Sequence, residues 1–276
     1  MPQTVFEIAC VAIVIVTLVL MARQEPPRAL LASYVSLALA GWVAEESCIL
    51  LYGFYGYADV WSVKAHLVPL LVPLIWPLVI LSARSFVQAL WPGDRWWSHL
   101  LVGAVVAFDA SLVEVVAVRA GLWWWAEPGH LDVPVIGMLG WGYFAVGASV
   151  ALSLTQRWRY PAVLFLGLLS THVLILATWW GLFRWTLRGD LGSSSTVGIL
   201  VIGLIAAGFI LLERRRGRGM PMQVAGPRML GAGLFLVLLL TTAAREMPYW
   251  WHVIALSIPY LASVRFPSPV ALKGVS

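Results

Sequence analysis

Residues 45–76 read EESCILLYGFYGYADVWSVKAHLVPLLVPLIW, and residues 109–141 read DASLVEVVAVRAGLWWWAEPGHLDVPVIGMLGW. Each stretch starts with carboxylates inside an apolar run, Glu45 and Glu46 in the first, Asp109 and Glu114 in the second. Each then crosses a segment of Gly and aromatic residues, meets Val-Pro at 68–69 or 133–134, and closes on Trp76 or Trp141 after the same interval. A carboxylate in a membrane helix is costly and usually faces a cavity or a partner, so it marks a site. The repetition predicts a duplicated helix hairpin, with repeat-like units at 41–76 and 109–141 and a polar chamber between them.

Composition sets the class around these stretches. The chain is 61% hydrophobic and 11% charged, with a mean hydropathy of +0.87, whereas soluble domains carry about 25% charged residues. Apolar runs of about 20 residues suffice to cross a bilayer. They fall at 4–22, 29–52, 65–90, 97–120, 133–155, 161–183, 193–212, 229–245 and 248–264. The last two are short and could be one broken element, so the expected fold is all-α: a polytopic membrane bundle of about eight or nine transmembrane helices. It forms a single integral-membrane domain over residues 1–276, with no soluble module.

Basic residues gather in alternate loops: Arg23 and Arg28, Arg84 and Arg95, Arg157 and Arg159, and Arg214, Arg215, Arg216 and Arg218. Cytoplasmic loops retain Lys and Arg, so this pattern places the N-terminus outside, in a multi-pass protein of a bacterial inner membrane. Arg184 and Arg188, partly offset by Asp190, run against it. The net charge of +5 comes from these loops and does not point to nucleic acid. Cys10 and Cys48 lie in apolar spans without metal or redox spacing and read as packing residues.

On a helix, adjacent Glu45 and Glu46 point about 100° apart, so only one of them can face a given chamber. One reading pairs the acids with cations such as Arg119 or His66 for packing alone. The other makes one buried carboxyl, kept protonated by desolvation, a proton donor, with a second, ionised carboxylate stabilising charge or taking a proton from water. Most of the 16 Trp fit the interfacial belts of a membrane protein. Trp123, Trp124 and Trp125 fit either a belt or the chamber mouth, where they would stabilise a carbocation by cation–π attraction, whereas Trp76 and Trp141 sit inside spans at matched repeat positions, where a belt explains them less well. Pro69, Pro73 and Pro134 are expected to kink or open helices beside the chamber. His66, His99, His130, His172 and His252 are scattered and form no metal set, and no phosphate loop or nucleotide fingerprint occurs.

Tyr52 to Tyr57 with the Val-Pro segment that follows, together with Asp109-Ala-Ser-Leu-Val-Glu, Gly121-Leu-Trp-Trp-Trp, Pro128-Gly129, Val133-Pro134 and Gly140-Trp141, resembles the integral-membrane carotenoid hydratases. These are the gamma-carotene 1'-hydroxylase and bisanhydrobacterioruberin hydratase type. The resemblance covers residues 41–147, and Glu114 stands where that family is expected to carry Pro or another nonacidic residue. It implies a cofactor-independent hydratase acting on the acyclic end of a carotenoid or related polyprenoid, with membrane lipid around it and no metal. Glu45 or Glu46 would deliver the proton, and Trp76, Trp141, Tyr57 and ionised Asp109 would stabilise the tertiary cation. Trp125 and Glu114 would line the substrate site. Two alternatives remain open: a membrane lycopene cyclase, and a non-catalytic protein that binds or transports lipid.

Overall fold

The computed structural model describes residues 2–93, 95–127, 129–187, 201, 203 and 222–263. Most of the expected span at 193–212, the Arg cluster at 214–218, Arg188, Asp190 and the tail from Phe266 lie outside the described residues. The elements run α1 (Gln3–Ala22), α2 (Pro27–Tyr52), β1 (Tyr55–Tyr57), β2 (Lys64–Ala65), β3 (Val68–Pro69), α3 (Leu71–Leu90), α4 (Trp96–Arg119), β4 (Trp123–Trp125), α5 (Val135–Ser153) and α6 (Gln156–Ile175). A π-helical segment (Leu176–Leu187) continues α6, and α7 (Met222–Thr242) and α8 (Met247–Ser263) follow. Among the described residues, seven helices are long and apolar enough to cross a membrane: α1 to α5, α6 with its π-helical continuation, and α7. The fold is therefore an all-α membrane bundle, and α7 and α8 are separate helices rather than one broken span.

Local chemistry sets the element ends. Pro27 opens α2 at the first helical position, where its missing N–H would find no helical partner in any case. Gly53 ends α2 with a φ of 63°, and Gly121 follows α4 with a φ of 72°. This left-handed conformation lets the chain leave the helix abruptly. Both glycines lead straight into a short strand, and the two strands pair antiparallel: Tyr55 opposite Trp125, Gly56 opposite Trp124, Tyr57 opposite Trp123. The N–H of Ala126 donates to Phe54 O at 2.8 Å and that of Ala58 to Leu122 O at 3.2 Å, extending the ladder at both ends. This ribbon ties the α2–α3 connection to the α4–α5 connection and closes one end of the bundle.

Two boundaries differ from expectation. Residues 65–70 are not helical: β2 and β3 form a small hairpin in which Lys64 faces Pro69, and Pro134 is the N-cap of α5. Pro69 and Pro134 therefore precede their helices instead of kinking them, since a prolyl nitrogen cannot donate and is best tolerated before or at a helix start. Pro77, by contrast, lies within α3. The helices pack closely through small residues, as helices do in lipid. An added Cβ at Gly103 of α4 would lie 2.9 Å from Gly142 O of α5, and one at Gly142 would lie 2.7 Å from Gly103 O. Leu37, Ala40 and Ala44 of α2 meet Ile80 and Ala83 of α3, Val106 of α4, and Ala145 and Ala148 of α5 in a single core.

Candidate functional site

A cavity of about 670 Å³ lies beneath the β1–β4 ribbon, and residues of α1, α2, α3, α4, α5, α7 and α8 contribute to its wall. Its lining is apolar and aromatic apart from a few groups, among them the carboxyls of Glu45, Glu114 and Asp109 and the guanidinium of Arg228. Apolar walls with a few convergent polar groups are what a binding site for a small apolar molecule requires.

Glu45 is 8% exposed. Its Oε2 accepts from Tyr55 Oη at 2.5 Å, its Oε1 from Trp76 Nε1 at 3.0 Å, and the Tyr57 hydroxyl is a further partner. The position of Trp76 follows from the sequence of α2. Gly41 lies one turn before Glu45 on the same face of the helix, and a Cβ there would be 2.9 Å from Cγ and Cδ1 of Trp76. The glycine makes the slot in which the indole lies, with its N–H directed at the carboxyl one turn further on. Burial pushes the phenols of Tyr55 and Tyr57 well above their usual range, so both remain neutral.

Glu114 is 2% exposed, and its Oε2 accepts from Trp123 Nε1 at 2.7 Å and Trp125 Nε1 at 3.1 Å. The Trp141 indole is a third donor. Gly137 of α5 gives Trp125 its place, because a Cβ there would fall 2.6 Å from Cζ2 of that ring. The Trp76 and Trp141 rings meet with centroids 4.9 Å apart, and Tyr55 stacks on Trp125 at 4.9 Å. Two carboxyls thus line one aromatic-walled space.

Asp109 lies deeper, about 7.5 Å further along α4 from Glu114 at a rise of about 1.5 Å per residue. It is held by Arg228 of α7, whose Nη2 is 2.5 Å from both carboxylate oxygens, and by the Tyr260 hydroxyl of α8. Arg228 Nη1 also donates to Ser82 Oγ of α3 at 3.2 Å. A carboxylate sharing its charge with a guanidinium is a less effective counter-ion for a cation than an unpaired one.

Of the residues singled out from sequence, Glu45, Glu114, Tyr57, Trp76, Trp125 and Trp141 come together, and Asp109 lines the same cavity in the group of Arg228 and Tyr260. Glu46 points elsewhere. It pairs with His66 and accepts the Leu67 N–H at 3.3 Å, fastening the β2–β3 hairpin to α2. Arg119, offered from sequence as a partner for the acids, pairs instead with Glu246. That arginine holds the Glu246 carboxyl below its usual range. Sequence reasoning missed Tyr55, Arg228 and Tyr260 as site residues and left Trp123 between an interfacial belt and the chamber mouth, and the structure puts Trp123 at the chamber. Arg228 stands at the end of the polar run from Glu213 and reads as loop, and the signal for it was Asp109, a mid-span acid that needed a cation. Comparison with protein-family models, with curated proteins and with solved structures finds no match for this chain.

Proposed function

We propose that this protein is a cofactor-independent hydratase that adds water to the terminal C=C of an acyclic carotenoid or related polyprenoid end group. The observation that carries the reading is the setting of Glu45, a carboxyl in an apolar cavity whose described hydrogen-bond partners are phenols and an indole rather than a cation. A carboxyl so placed has an acid's reach and little competition from water. General acid catalysis of this kind supplies about 10²–10⁴-fold. The terminal isoprene lies between Trp76, Trp141 and Tyr57, and the Glu45 proton goes to its CH carbon. The tertiary cation that results faces aromatic rings, which attract it through their π faces; water then adds to it and loses a proton to the Glu45 carboxylate, which gives the tertiary alcohol and restores the acid. In the membrane the ribbon end of the bundle and the N-terminus lie outside, with the Arg-rich loops in the cytoplasm.

The test is pigment chemistry. The chain is expressed in lycopene-producing cells supplied with ¹⁸O-labelled water, and the carotenoids are extracted. The expected product is a tertiary alcohol carrying the label, absent when Glu45→Gln is present at an equal amount of folded protein. A cyclised product without oxygen would replace hydration by cyclisation, in which an internal alkene captures the same cation. Unchanged lycopene beside well-folded protein would favour a lipid-binding role.

A further inference from the structure

We infer that a window between α7 and α8 admits an acyclic polyprenoid to the chamber from the lipid, and that the unreacted length of its chain stays in the window while its end lies at Glu45. The inference rests on the hydratase reading for its ligand but not for its geometry, which comes from the packing of the two helices. Among the described residues, the exposed parts of the cavity wall all belong to α7 and α8: Met229, Ala232, Gly233, Leu236, Ile254 and Ile258. Met229 is 50% exposed and Ile258 58%. Leu230 and Val237 beside them are exposed without lining the cavity, so this side of α7 is the one turned to lipid. A residue that belongs both to the cavity wall and to the outer surface stands at the rim of an opening.

The helices are placed to leave such an opening. Both α7 and α8 pack on α4, but along their length they hardly approach one another among the described residues. The gap is closed at one end by the short turn between Thr242 and Met247. At the other end it is closed by Arg228 Nη2, which donates to Tyr260 Oη at 2.8 Å. Between these ends lie Gly231 and Gly233, where an added Cβ would meet no atom within 4 Å. Gly41 and Gly137 make room for indoles, whereas no protein group takes the room left here, although glycine within a helix is costly. From Met229 to Leu236 the rim follows about 10 Å of helix.

Depth and length both suit a long apolar chain. Arg119 at the end of α4 meets Glu246 just beyond α7, so the two helices run in the same direction. Arg228 holds Asp109, and Gly233 and Glu114 each lie about 7.5 Å further along their helices. The window therefore opens at about the depth of Glu114. On α1 the cavity wall reaches from Phe6 to Thr17, about 16 Å of helix. A forty-carbon polyene approaches the ~30 Å thickness of the hydrocarbon core, so it does not fit wholly inside. The remainder needs an apolar exit, and the window gives one at a level where there is no water to replace hydrocarbon.

The experiment measures equilibrium binding of two ¹⁴C-labelled acyclic alkenes, ten-carbon myrcene and forty-carbon lycopene, to the purified full-length chain in lipid nanodiscs, with empty discs subtracted. Gly231→Leu and Gly233→Leu fill the window, and Leu240→Phe, on the exposed face of α7 away from the cavity, is the control. Each Gly variant should weaken lycopene binding by about tenfold or more, the scale on which overpacking acts. Myrcene, short enough to lie inside, should bind as it does to wild type, and the control should change neither. Unchanged lycopene binding in both Gly variants, or an equal loss of both alkenes, overturns the window. A second reading does not depend on those variants. With Cys10 and Cys48 replaced, Ile254→Cys and Ile258→Cys should each be shielded from a lipid-soluble maleimide by lycopene and not by myrcene. No shielding by lycopene also overturns the window, as does a wild-type protein that binds no lycopene. A wild-type protein that binds lycopene through the window and forms no alcohol keeps the window and removes the hydratase reading.

Discussion

Gly41→Ala tests the slot that holds Trp76 against Glu45. The added methyl carbon would sit 2.9 Å from Cγ and Cδ1 of Trp76 and 3.0 Å from its Cβ, whereas carbon atoms in good contact lie about 3.5–4.0 Å apart. The crowded atoms are the root of the side chain, so rotating the indole does not relieve them and α2 must move from α3. Overpacking costs about 1–3 kcal/mol, and the upper half of that range applies where the obstruction is rigid. Replacing a mid-helix Gly by Ala returns about 0.5–1 kcal/mol, which leaves a net loss of about 1–2 kcal/mol. The indole also leaves Glu45, and one hydrogen bond of about 0.5–1.5 kcal/mol corresponds to a further loss of about 2–10-fold in turnover. The assay is the denaturation midpoint in mild detergent together with product formed per folded molecule. Gly140→Ala is the stability control, because nothing lies within 4 Å of a Cβ there. If Gly41→Ala is as stable as Gly140→Ala, the slot does not hold Trp76 and the packing argument fails.

Breaking the Asp109–Arg228 pair with Asp109→Asn or Arg228→Met should cost about 3–5 kcal/mol each, because the remaining group stays largely buried, whereas Asp109→Leu with Arg228→Met should recover most of the loss. Denaturation of the four proteins checks this, and single variants within about 1 kcal/mol of wild type would contradict it. Burial holds the His130 imidazole below its ordinary value of 6.5. The unfolded chain therefore binds the proton first, and stability should be full above that pH and fall as pH drops from 6.5 toward the folded value. His130→Gln should flatten that fall in a detergent melting series. With Cys10 and Cys48 replaced, cysteines at 121–132 should react with an impermeant reagent on intact cells and cysteines at 214–218 should not. The reverse pattern would invert the topology and place the chamber in the inner half of the membrane.

The reach of sequence reasoning is clearest at α2. That residues 27–52 form a membrane helix follows from composition, because in lipid every backbone group must be satisfied within the segment and a long apolar run can do so only as a helix. That Glu45 and Glu46 cannot share a direction follows equally from a turn of about 100° per residue. Which of them meets the cavity does not follow. It depends on how α2 is rotated against α3, and the contact of Gly41 with Trp76 and the hold of Glu46 on the β2–β3 hairpin settle that rotation.

The same division runs through the rest of the molecule. Membrane class, most span positions, the carboxylates within the spans and the glycine–aromatic connections are local properties, readable from composition and short-range pattern. The pairing of β1 with β4, the convergence of Glu45 with Glu114, and the meeting of Asp109 with Arg228 and Tyr260 join segments far apart in the chain. No local periodicity encodes such contacts. They arise when helices pack through small residues and each buried charge finds the one partner the packing brings within reach, so the tertiary structure alone decided which acids share the chamber.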